Sequence, residues 1–354
     1  MDIKELTYSQ IMKFKRCPKQ YDYAYNQKLS SKFFSAPLQL GSFVHELLDA
    51  FYTASMDGLT YEGAVGMVFE KSTSYFAEKT EGLFDEELQK FIDIQEQAEG
   101  IVVRYIDFYK SDFQNFDIVA VEEQFRVPIL DLEGKESGAY LNGKFDLIME
   151  DKFGILYLGE HKTTALGIQT RLADLELDEQ CSYYSWALRN SLRDEGQIID
   201  VTGVIYNVLR KKEPTVPRLL KKGGLSKAKD IDTTYDLYLQ AIQFNGLNIA
   251  DYQDMLNMLK LKGNTFYGRE IVKRSNQELL NTGNDLYETL MYMKNTSTFY
   301  RNRCSLCSRD CSYKALCIAE IKGYDTEEIL KHFEIRKTVN PELQDLEKPE
   351  SSVD

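Results

Sequence analysis

The sequence predicts an α/β fold, with a central sheet and helical additions at both ends of the chain. The first observation is a long region, residues 41–115, with helical spacing of its apolar residues and few helix breakers. The second is a change to three short runs rich in Val, Ile, Tyr and Leu, at 118–128, 138–149 and 154–163. Helical spacing then returns, which places the sheet between two helical regions.

The elements follow one another in a simple order. A short helix is expected around Ser9 to Phe14, before the long helical region. Gly and Asp between the three strand-like runs indicate turns, so these runs form a meander. The later elements are a helix at about 174–193, an apolar strand at 201–209, a basic loop at 210–229, and helical segments at about 231–260 and 270–294.

This order divides the chain into four regions. The last region, residues 338–354, is polar and acidic with two prolines, and we expect it to be disordered. The regions are an N-terminal helical region (1–115), a sheet core (116–210), a region with the basic loop, helices and clustered cysteines (211–337), and a tail (338–354).

Composition limits the class of protein. The chain has 354 residues, of which 43% are hydrophobic and 28% charged, as in a water-soluble globular protein. A net charge of -13 argues against coating a nucleic acid with the whole surface, although it allows a local basic channel. No apolar run resembles a signal peptide or a membrane span, so we expect a cytoplasmic protein without membrane contact. In a reducing compartment the six cysteines are expected to be thiols or metal ligands.

Two carboxylates and a lysine lie in the strand-rich stretch. Asp146 ends one apolar strand segment, and Glu160 and Lys162 lie near the end of the next. Residues at positions i and i+2 of a strand project from the same face, so Glu160 and Lys162 do so. If the strands are neighbours, both carboxylates and the backbone carbonyl of His161 can bind Mg²⁺ or Mn²⁺. The ion would activate water, and Lys162 would orient or deprotonate it, so the pattern predicts a phosphodiester hydrolase.

The alternative is an exposed aspartate beside an ordinary glutamate–lysine pair on the surface. The run Gly154-Ile-Leu-Tyr-Leu-Gly argues against this, because it is apolar on both faces and directly precedes Glu160. A charged pair in such a strand is partly buried and requires a reason to be charged.

The motif resembles a known family. Asp146, Glu160-x-Lys162 and Gln180-x-x-x-Tyr184 are similar to the PD-(D/E)XK nuclease superfamily, in its RecB-like branch. Phe145 stands where the family name has proline, as this branch tolerates. The resemblance implies a restriction-endonuclease-like core sheet flanked by helices. It also implies that Gln180 and Tyr184, which share a helix face, contact the DNA backbone; the alternative is that this face packs in the core.

The same branch carries a histidine on an upstream helix. Gly41-Ser-Phe-Val-His45-Glu-Leu-Leu matches that pattern, so the resemblance implies that His45 is a further metal ligand. His161 and His332 have no such support, and we expect their side chains to be structural.

Four cysteines lie close together near the C-terminus, at positions 304, 307, 311 and 317. Thiolates this close normally bind a metal ion or a cluster. In the RecB-like nucleases with a 4Fe–4S cluster, among them CRISPR adaptation nucleases, one cysteine precedes the core and three follow it. The resemblance therefore implies that Cys17, Cys307, Cys311 and Cys317 bind a cluster that joins the two helical additions.

The cysteine spacing departs from the usual C-x2-C-x5-C tail of that branch. The chain has one cysteine too many, so Cys304 is an alternative ligand to Cys307. A Zn²⁺ site made from the four C-terminal cysteines alone is the alternative to the 4Fe–4S cluster.

The basic loop reverses the sign of the overall charge. Residues 210–229 hold eight Lys or Arg against one acid. Lysine and arginine bind phosphates without sequence choice, so Lys211, Lys212, Lys221 and Lys222 are candidate DNA contacts; the alternative is a solvated loop. Tyrosines and phenylalanines near the mouth of the site can stack on the bases of a single strand.

Together these patterns predict a Mg²⁺- or Mn²⁺-dependent DNA exonuclease that processes single-stranded or free DNA ends. Recombination, repair or phage replication, in a bacterial cell or a phage-infected host, is the expected setting. The sequence has no G-x-x-x-x-G-K-[ST] motif, so any helicase or recombination protein is a separate partner. The alternatives are a non-catalytic DNA-binding subunit of a helicase–nuclease complex and a structure-selective endonuclease.

Overall fold

A computed structural model describes residues 3–194, 201–309 and 311–338, except for the side chains of 192–194 and 201–202. The tail predicted to be disordered lies outside the described residues apart from Thr338. The strands are β1 (Glu5–Thr7), β2 (Leu29–Ser31), β3 (Phe116–Leu130), β4 (Glu136–Asp151), β5 (Leu156–Thr164), β6 (Val201–Arg210), β7 (Tyr267–Val272) and β8 (Phe333–Ile335).

Helices precede, interrupt and follow the strands. None of the helices in the described ranges is both long and apolar enough to cross a membrane. The helices are α1 (Tyr8–Arg16), α2 (Pro18–Tyr21), α3 (Ala36–Met56), α4 (Tyr61–Thr80), α5 (Asp85–Phe108), α6 (Asp112–Asn115), α7 (Ile168–Leu172), α8 (Glu179–Asp194), α9 (Tyr235–Phe244), α10 (Gln253–Lys262), α11 (Asn276–Asn295), α12 (Leu306–Arg309), α13 (Lys314–Lys322) and α14 (Glu327–Leu330).

A mixed six-stranded sheet forms the centre of the fold, so the α/β prediction is confirmed. β3, β4 and β5 form the expected antiparallel meander. β6 runs parallel to β5, and β7 is antiparallel to β6. One edge of β4 pairs with β3, while the other is shared by β1 at residues 140–142 and by β5 at residues 147–150.

The prediction of a helix from residue 270 is wrong at its start. Tyr267–Val272 is a strand on the edge of β6, and α11 begins only at Asn276. A capping box marks that beginning, because the Ser275 and Glu278 side chains each accept a hydrogen bond from the other's backbone N–H. Six residues are too few for periodicity to separate strand from helix, so pairing with β6 decides the structure. The three-residue strands β1, β2 and β8 also gave no sequence signal.

Helices cover both faces of the sheet. One large hydrophobic cluster contains residues of α1, α8 and α11, and the other contains residues of α3, α4 and α5. A third, smaller cluster joins α9 and α10. The sheet therefore separates two helical layers, and its side chains are divided between them.

The two ends of the described chain meet. β2 pairs with β8, so residues 29–31 lie beside residues 333–335. The Lys19 N–H donates to the Tyr300 carbonyl at 3.0 Å, and the Tyr313 hydroxyl donates to the Leu29 carbonyl at 2.7 Å. These contacts bring the segment around Cys17 next to the C-terminal cysteines.

Candidate active site

The site lies where β4 and β5 separate. Leu147 pairs with Gly159, and no pair in the described part of these strands continues beyond it toward Asp146. In this antiparallel register the next positions are Asp146 and Glu160, directly opposite each other. β5 then continues along β6, with Glu160 beside Tyr206. The separation of two paired strands therefore places both carboxylates at the start of an opening in the sheet.

The alternation of β4 side chains between the two faces of the sheet is interrupted at Asp146. Phe145 and Ile148 pack in one hydrophobic cluster and Leu147 packs in the other, so simple alternation is broken between them. On β3, Glu122 has a φ of 54°, a left-handed conformation that costs about 1 kcal/mol for a residue with a side chain. Glu122 also forms an ion pair with Lys144, two residues before Asp146. The irregularity in both strands accompanies the redirection of Asp146 toward the opening.

Asp146 is held from two sides. Its Oδ2 accepts a hydrogen bond from the backbone N–H of His161 at 3.1 Å. His45 Nδ1, from α3, lies 3.7 Å from the same oxygen. Burial raises the pKa of Asp146, and Lys162 opposes that rise. One helix and two strands thus meet at this carboxylate.

Glu160 is almost completely buried, with 3% of its surface exposed. Its Oε1 forms an ion pair with Lys162 and accepts a hydrogen bond from Gln180 Nε2 at 3.0 Å. Burial, followed by repulsion from Asp146, raises the pKa of Glu160 to about 7. Tyr184, one turn after Gln180, packs against Phe145, with ring centroids 5.8 Å apart. Gln180 therefore contacts the carboxylate, and Tyr184 packs beside the strand that carries Asp146.

The charge of Lys162 is well defined. Burial alone would lower the pKa of this ammonium, but Glu160 and then Asp146 raise it above its ordinary value. A lysine that stays protonated cannot take a proton from water at neutral pH. In the metal-free site this environment favours charge stabilisation and orientation of a water molecule as the roles of Lys162.

His45 is neutral at pH 7. Burial, followed by the positive charge of Lys162, lowers the pKa of its imidazole to about 4. A neutral imidazole keeps a lone pair on one nitrogen and can bind a metal ion. Its position at Asp146 is therefore compatible with the ligand role that the family resemblance implies for it.

The donor set fits a hard divalent cation. Two carboxylates and a backbone carbonyl are the oxygen ligands that Mg²⁺ and Mn²⁺ accept, whereas imidazole is more typical of other transition metals. Among the described residues, however, no group of three His, Cys, Asp or Glu side chains stands at metal-ligating spacing. Glu160 Oε1 faces Lys162 and Gln180 instead. Because Oε1 is engaged by these partners, an ion between the carboxylates would bind through the other oxygen of Glu160, Oε2, or displace one of them.

Two charged residues near the site were missed by the sequence reasoning. Asp49 lies one turn after His45 on α3, and Lys144 lies two residues before Asp146 on β4. Burial, followed by repulsion from Asp146 and Glu46, raises the pKa of Asp49 to about 8. The four-residue spacing from His45 was a readable signal, since it places both side chains on one helix face.

Asp49→Asn is expected to stabilise the metal-free protein at alkaline pH. A folded-state pKa near 8, above the ordinary 3.8, means that folding favours the protonated carboxyl. That contribution is complete below the ordinary pKa and is lost as the pH rises through 8. The gain from asparagine should therefore grow between pH 4 and pH 8, to about 1 kcal/mol or more.

Urea unfolding in EDTA at several pH values measures this difference. Asp57→Asn, at the C-terminal end of the same helix, is the matched control. A stability difference that does not change with pH would contradict the expected burial of Asp49.

A buried polar network supports β5 behind the site. The His161 ring is 2% exposed, and its Nε2 lies 3.4 Å from the Tyr105 hydroxyl and 3.5 Å from Asn207 Nδ2. Arg269 on β7 donates to Asn207 Oδ1 at 2.6 Å and pairs with Asp112 at 2.7 Å. The His161 side chain thus lies in a buried network behind the site, while its backbone N–H donates to Asp146.

Five cysteines line one cavity of about 230 Å³, together with arginines from both ends of the chain. They are Cys17, Cys304, Cys307, Cys311 and Cys317, and all are free thiols. The Cys304 N–H donates to Cys307 Sγ at 3.4 Å, and Cys304 itself is exposed. The fold thus brings Cys17 to the C-terminal group, although no three described thiols stand at ligand spacing. Cys181 is buried in the core, away from this cavity.

The basic loop is only partly free. Lys212 forms an ion pair with Asp232 at 2.9 Å, and Lys211 donates to the Pro37 carbonyl. Lys221 and Lys222 are exposed in the turn between Leu219 and Leu225, which form a β-bridge. The four candidate lysines therefore divide into two that contact the protein and two that point to solvent.

A sheet that carries two carboxylates and a lysine at a strand fork, with helices on both faces, is consistent with a restriction-endonuclease-like fold. A family model for the PD-(D/E)XK nuclease superfamily matches residues 5–318. The chain belongs to this superfamily, whose members are generally metal-dependent nucleases that typically use Mg²⁺ or Mn²⁺. A comparison with curated proteins gave no match.

Proposed function

We propose that the protein is a RecB-like, metal-dependent exonuclease that removes nucleotides from DNA ends. The observation that carries the proposal is the meeting of Asp146, Glu160 and Lys162 where β4 and β5 separate. Family membership supports nuclease activity on DNA; the exonuclease mode and the RecB-like branch are our proposals.

Each side chain has a distinct role in this proposal. Asp146, Glu160, His45 and the His161 carbonyl would hold Mg²⁺ or Mn²⁺, which when bound would supply an activated water and neutralise phosphate charge. Lys162, as an ammonium, stabilises the charge that develops on the phosphate and orients the attacking water. Gln180 orients the Glu160 carboxylate, and Tyr184 supports the strand that carries Asp146.

Digestion of end-labelled DNA tests the proposal directly. With Mg²⁺ or Mn²⁺ we expect mononucleotides or short fragments from linear DNA, and none in EDTA. Circular single-stranded DNA should remain intact, since only an endonuclease can cut DNA that has no ends. Cleavage of the circle would favour a structure-selective endonuclease, and no cleavage of any DNA would favour a non-catalytic DNA-binding subunit.

We also propose that Cys17, Cys307, Cys311 and Cys317 bind a 4Fe–4S cluster. A shared cavity and the adjacent arginines, which favour thiolates, support this ligand set. Cys307 is preferred over Cys304 because it is less exposed and accepts a backbone hydrogen bond, as cluster sulfurs commonly do. Zn²⁺ bound by the four C-terminal cysteines remains the alternative.

Lys221 and Lys222 are proposed to bind DNA phosphates, because both are exposed. The double variant Lys221→Ala/Lys222→Ala should weaken binding of single-stranded DNA. It should also reduce the slope of log affinity against log salt by about 1.4, the value for two lost phosphate contacts. Fluorescence anisotropy at several salt concentrations measures both quantities.

Lys212→Ala is the control for this change, because Lys212 is paired with Asp232 and should contribute less to the salt dependence. Unchanged affinity of the double variant at low salt would remove the loop from the DNA interface.

The proposed setting is DNA recombination, repair or phage replication in the cytoplasm of a bacterial or phage-infected cell. A helicase or recombination protein would act as a separate partner. These assignments rest on the resemblance to RecB-like nucleases.

A further inference from the structure

An exposed apolar surface lies at the amino-terminal end of α3, the helix that carries His45. Phe33, Phe34 and Leu38 are 69%, 43% and 70% exposed. Large apolar side chains grouped in solvent commonly mark a binding surface.

The aromatic rings of this surface are held in place. Phe33 stacks on His332, with centroids 5.2 Å apart and planes at 24°. The Lys32 N–H donates to the His332 carbonyl at 3.0 Å, which extends the pairing of β2 with β8. Phe34 contacts Phe91 edge-on at 5.4 Å. The rings are therefore positioned before any ligand binds, which lowers the entropic cost of binding.

The surface continues into the proposed active site. Leu38 and His45 are one heptad apart, so they lie on the same face of α3, about 10 Å apart along its axis. Between them, Gly41 allows close packing on β5, since a Cβ at this position would lie 3.3 Å from Thr163 Oγ1. Leu38 is exposed and shares this face with His45, so a chain that left Asp146 and Glu160 along α3 would meet the aromatic surface.

The charges around the surface suit a polyanion. Lys32 and Lys90 are exposed, and the Lys90 ammonium lies 6.0 Å from the centre of the Phe34 ring. Lys211 donates to the carbonyl of Pro37, one residue before Leu38. Exposed rings among lysines are typical of proteins that bind single-stranded nucleic acid, in which bases stack on the rings and phosphates contact the cations.

We infer that Phe33, Phe34, Leu38 and His332 form a stacking surface for unpaired bases of the DNA strand that enters the active site. The inference rests on the proposed function and specifies its substrate. A duplex keeps its base faces stacked on one another, so the strand must be unpaired for roughly three nucleotides beside the scissile bond.

Two substrates separate stacking from chemistry: a single-stranded oligonucleotide and thymidine 5′-p-nitrophenyl phosphate, a small diester without neighbouring bases. In Phe33→Ala/Leu38→Ala, the ratio of kcat/KM for the oligonucleotide to that for the small diester should fall about tenfold or more. The single variant Phe33→Trp should keep the wild-type ratio, because tryptophan also stacks. Phe153→Ala is the matched control, since Phe153 is an exposed ring beside Lys152 in the β4–β5 turn.

A binding measurement keeps this test independent of catalysis. An oligonucleotide with 2-aminopurine three nucleotides from its end should lose fluorescence on binding in EDTA, and Phe33→Ala/Leu38→Ala should abolish that quenching. If the wild type hydrolyses neither substrate, the proposed function fails while quenching still decides the stacking surface. Equal ratios and equal quenching in wild type and Phe33→Ala/Leu38→Ala would overturn the inference. A surface that binds a protein instead of DNA would give this result.

Discussion

Asp146→Asn and Lys162→Met should each reduce the rate of DNA hydrolysis by about 10³-fold or more. Asparagine keeps the size of Asp146 and one oxygen, but it removes the negative charge that would hold the cation. Methionine keeps the length of Lys162 but removes the ammonium beside Glu160. Because the effect is on charge in the transition state, we expect kcat to fall more than affinity for DNA.

Single-turnover cleavage of linear DNA in saturating Mn²⁺ measures this loss. Asp117→Asn is a matched control, because Asp117 is an exposed aspartate on the neighbouring strand β3. Lys152→Met, in the turn after β4, controls for the loss of a lysine. Wild-type rates in both active-site variants would contradict the assignment of the site, provided that the purified variants contain no contaminating nuclease.

Cys17→Ser should remove most of the iron from the protein and lower its Tm by about 10 °C or more. The wild type, purified anaerobically, should be brown and contain iron and sulfide. Cys17 lies on a different part of the chain from Cys311 and Cys317, so losing it would release the N-terminal segment from the C-terminal one. Serine is close in size to cysteine, so the effect should come from lost ligation and not from packing.

Iron and zinc content, visible absorption and thermal unfolding together test this result. Cys181→Ala is the control, because this buried thiol lies outside the cavity and the variant should keep its iron. We further expect Cys307→Ser to lose iron and Cys304→Ser to keep it. A colourless wild type with stoichiometric zinc would refute the cluster.

The meander of β3, β4 and β5 was readable from the sequence because each strand is a short apolar run bounded by turn residues. The helices of residues 41–115 were readable for a different reason, since their apolar residues recur at helical spacing over a long stretch with few breakers. β1 and β7 were not, because they are held by pairing with β4 and β6 and carry little periodicity of their own. The position of Asp49 on the His45 face of α3 was readable from the spacing, but its raised pKa was not, because burial and the charge of Asp146 act only in the folded chain.

The sequence by itself determined the class of fold and the residue types of the candidate site, namely Asp146, Glu160-x-Lys162 and Gln180-x-x-x-Tyr184. Only the tertiary structure decided that β4 and β5 part between Leu147 and Asp146, that His45 reaches Asp146, and that Cys17 lies beside the C-terminal cysteines. The physical reason is that periodicity and side-chain chemistry are local properties of a chain. Strand register, burial and the pKa values they produce arise from contacts between segments that are distant in sequence.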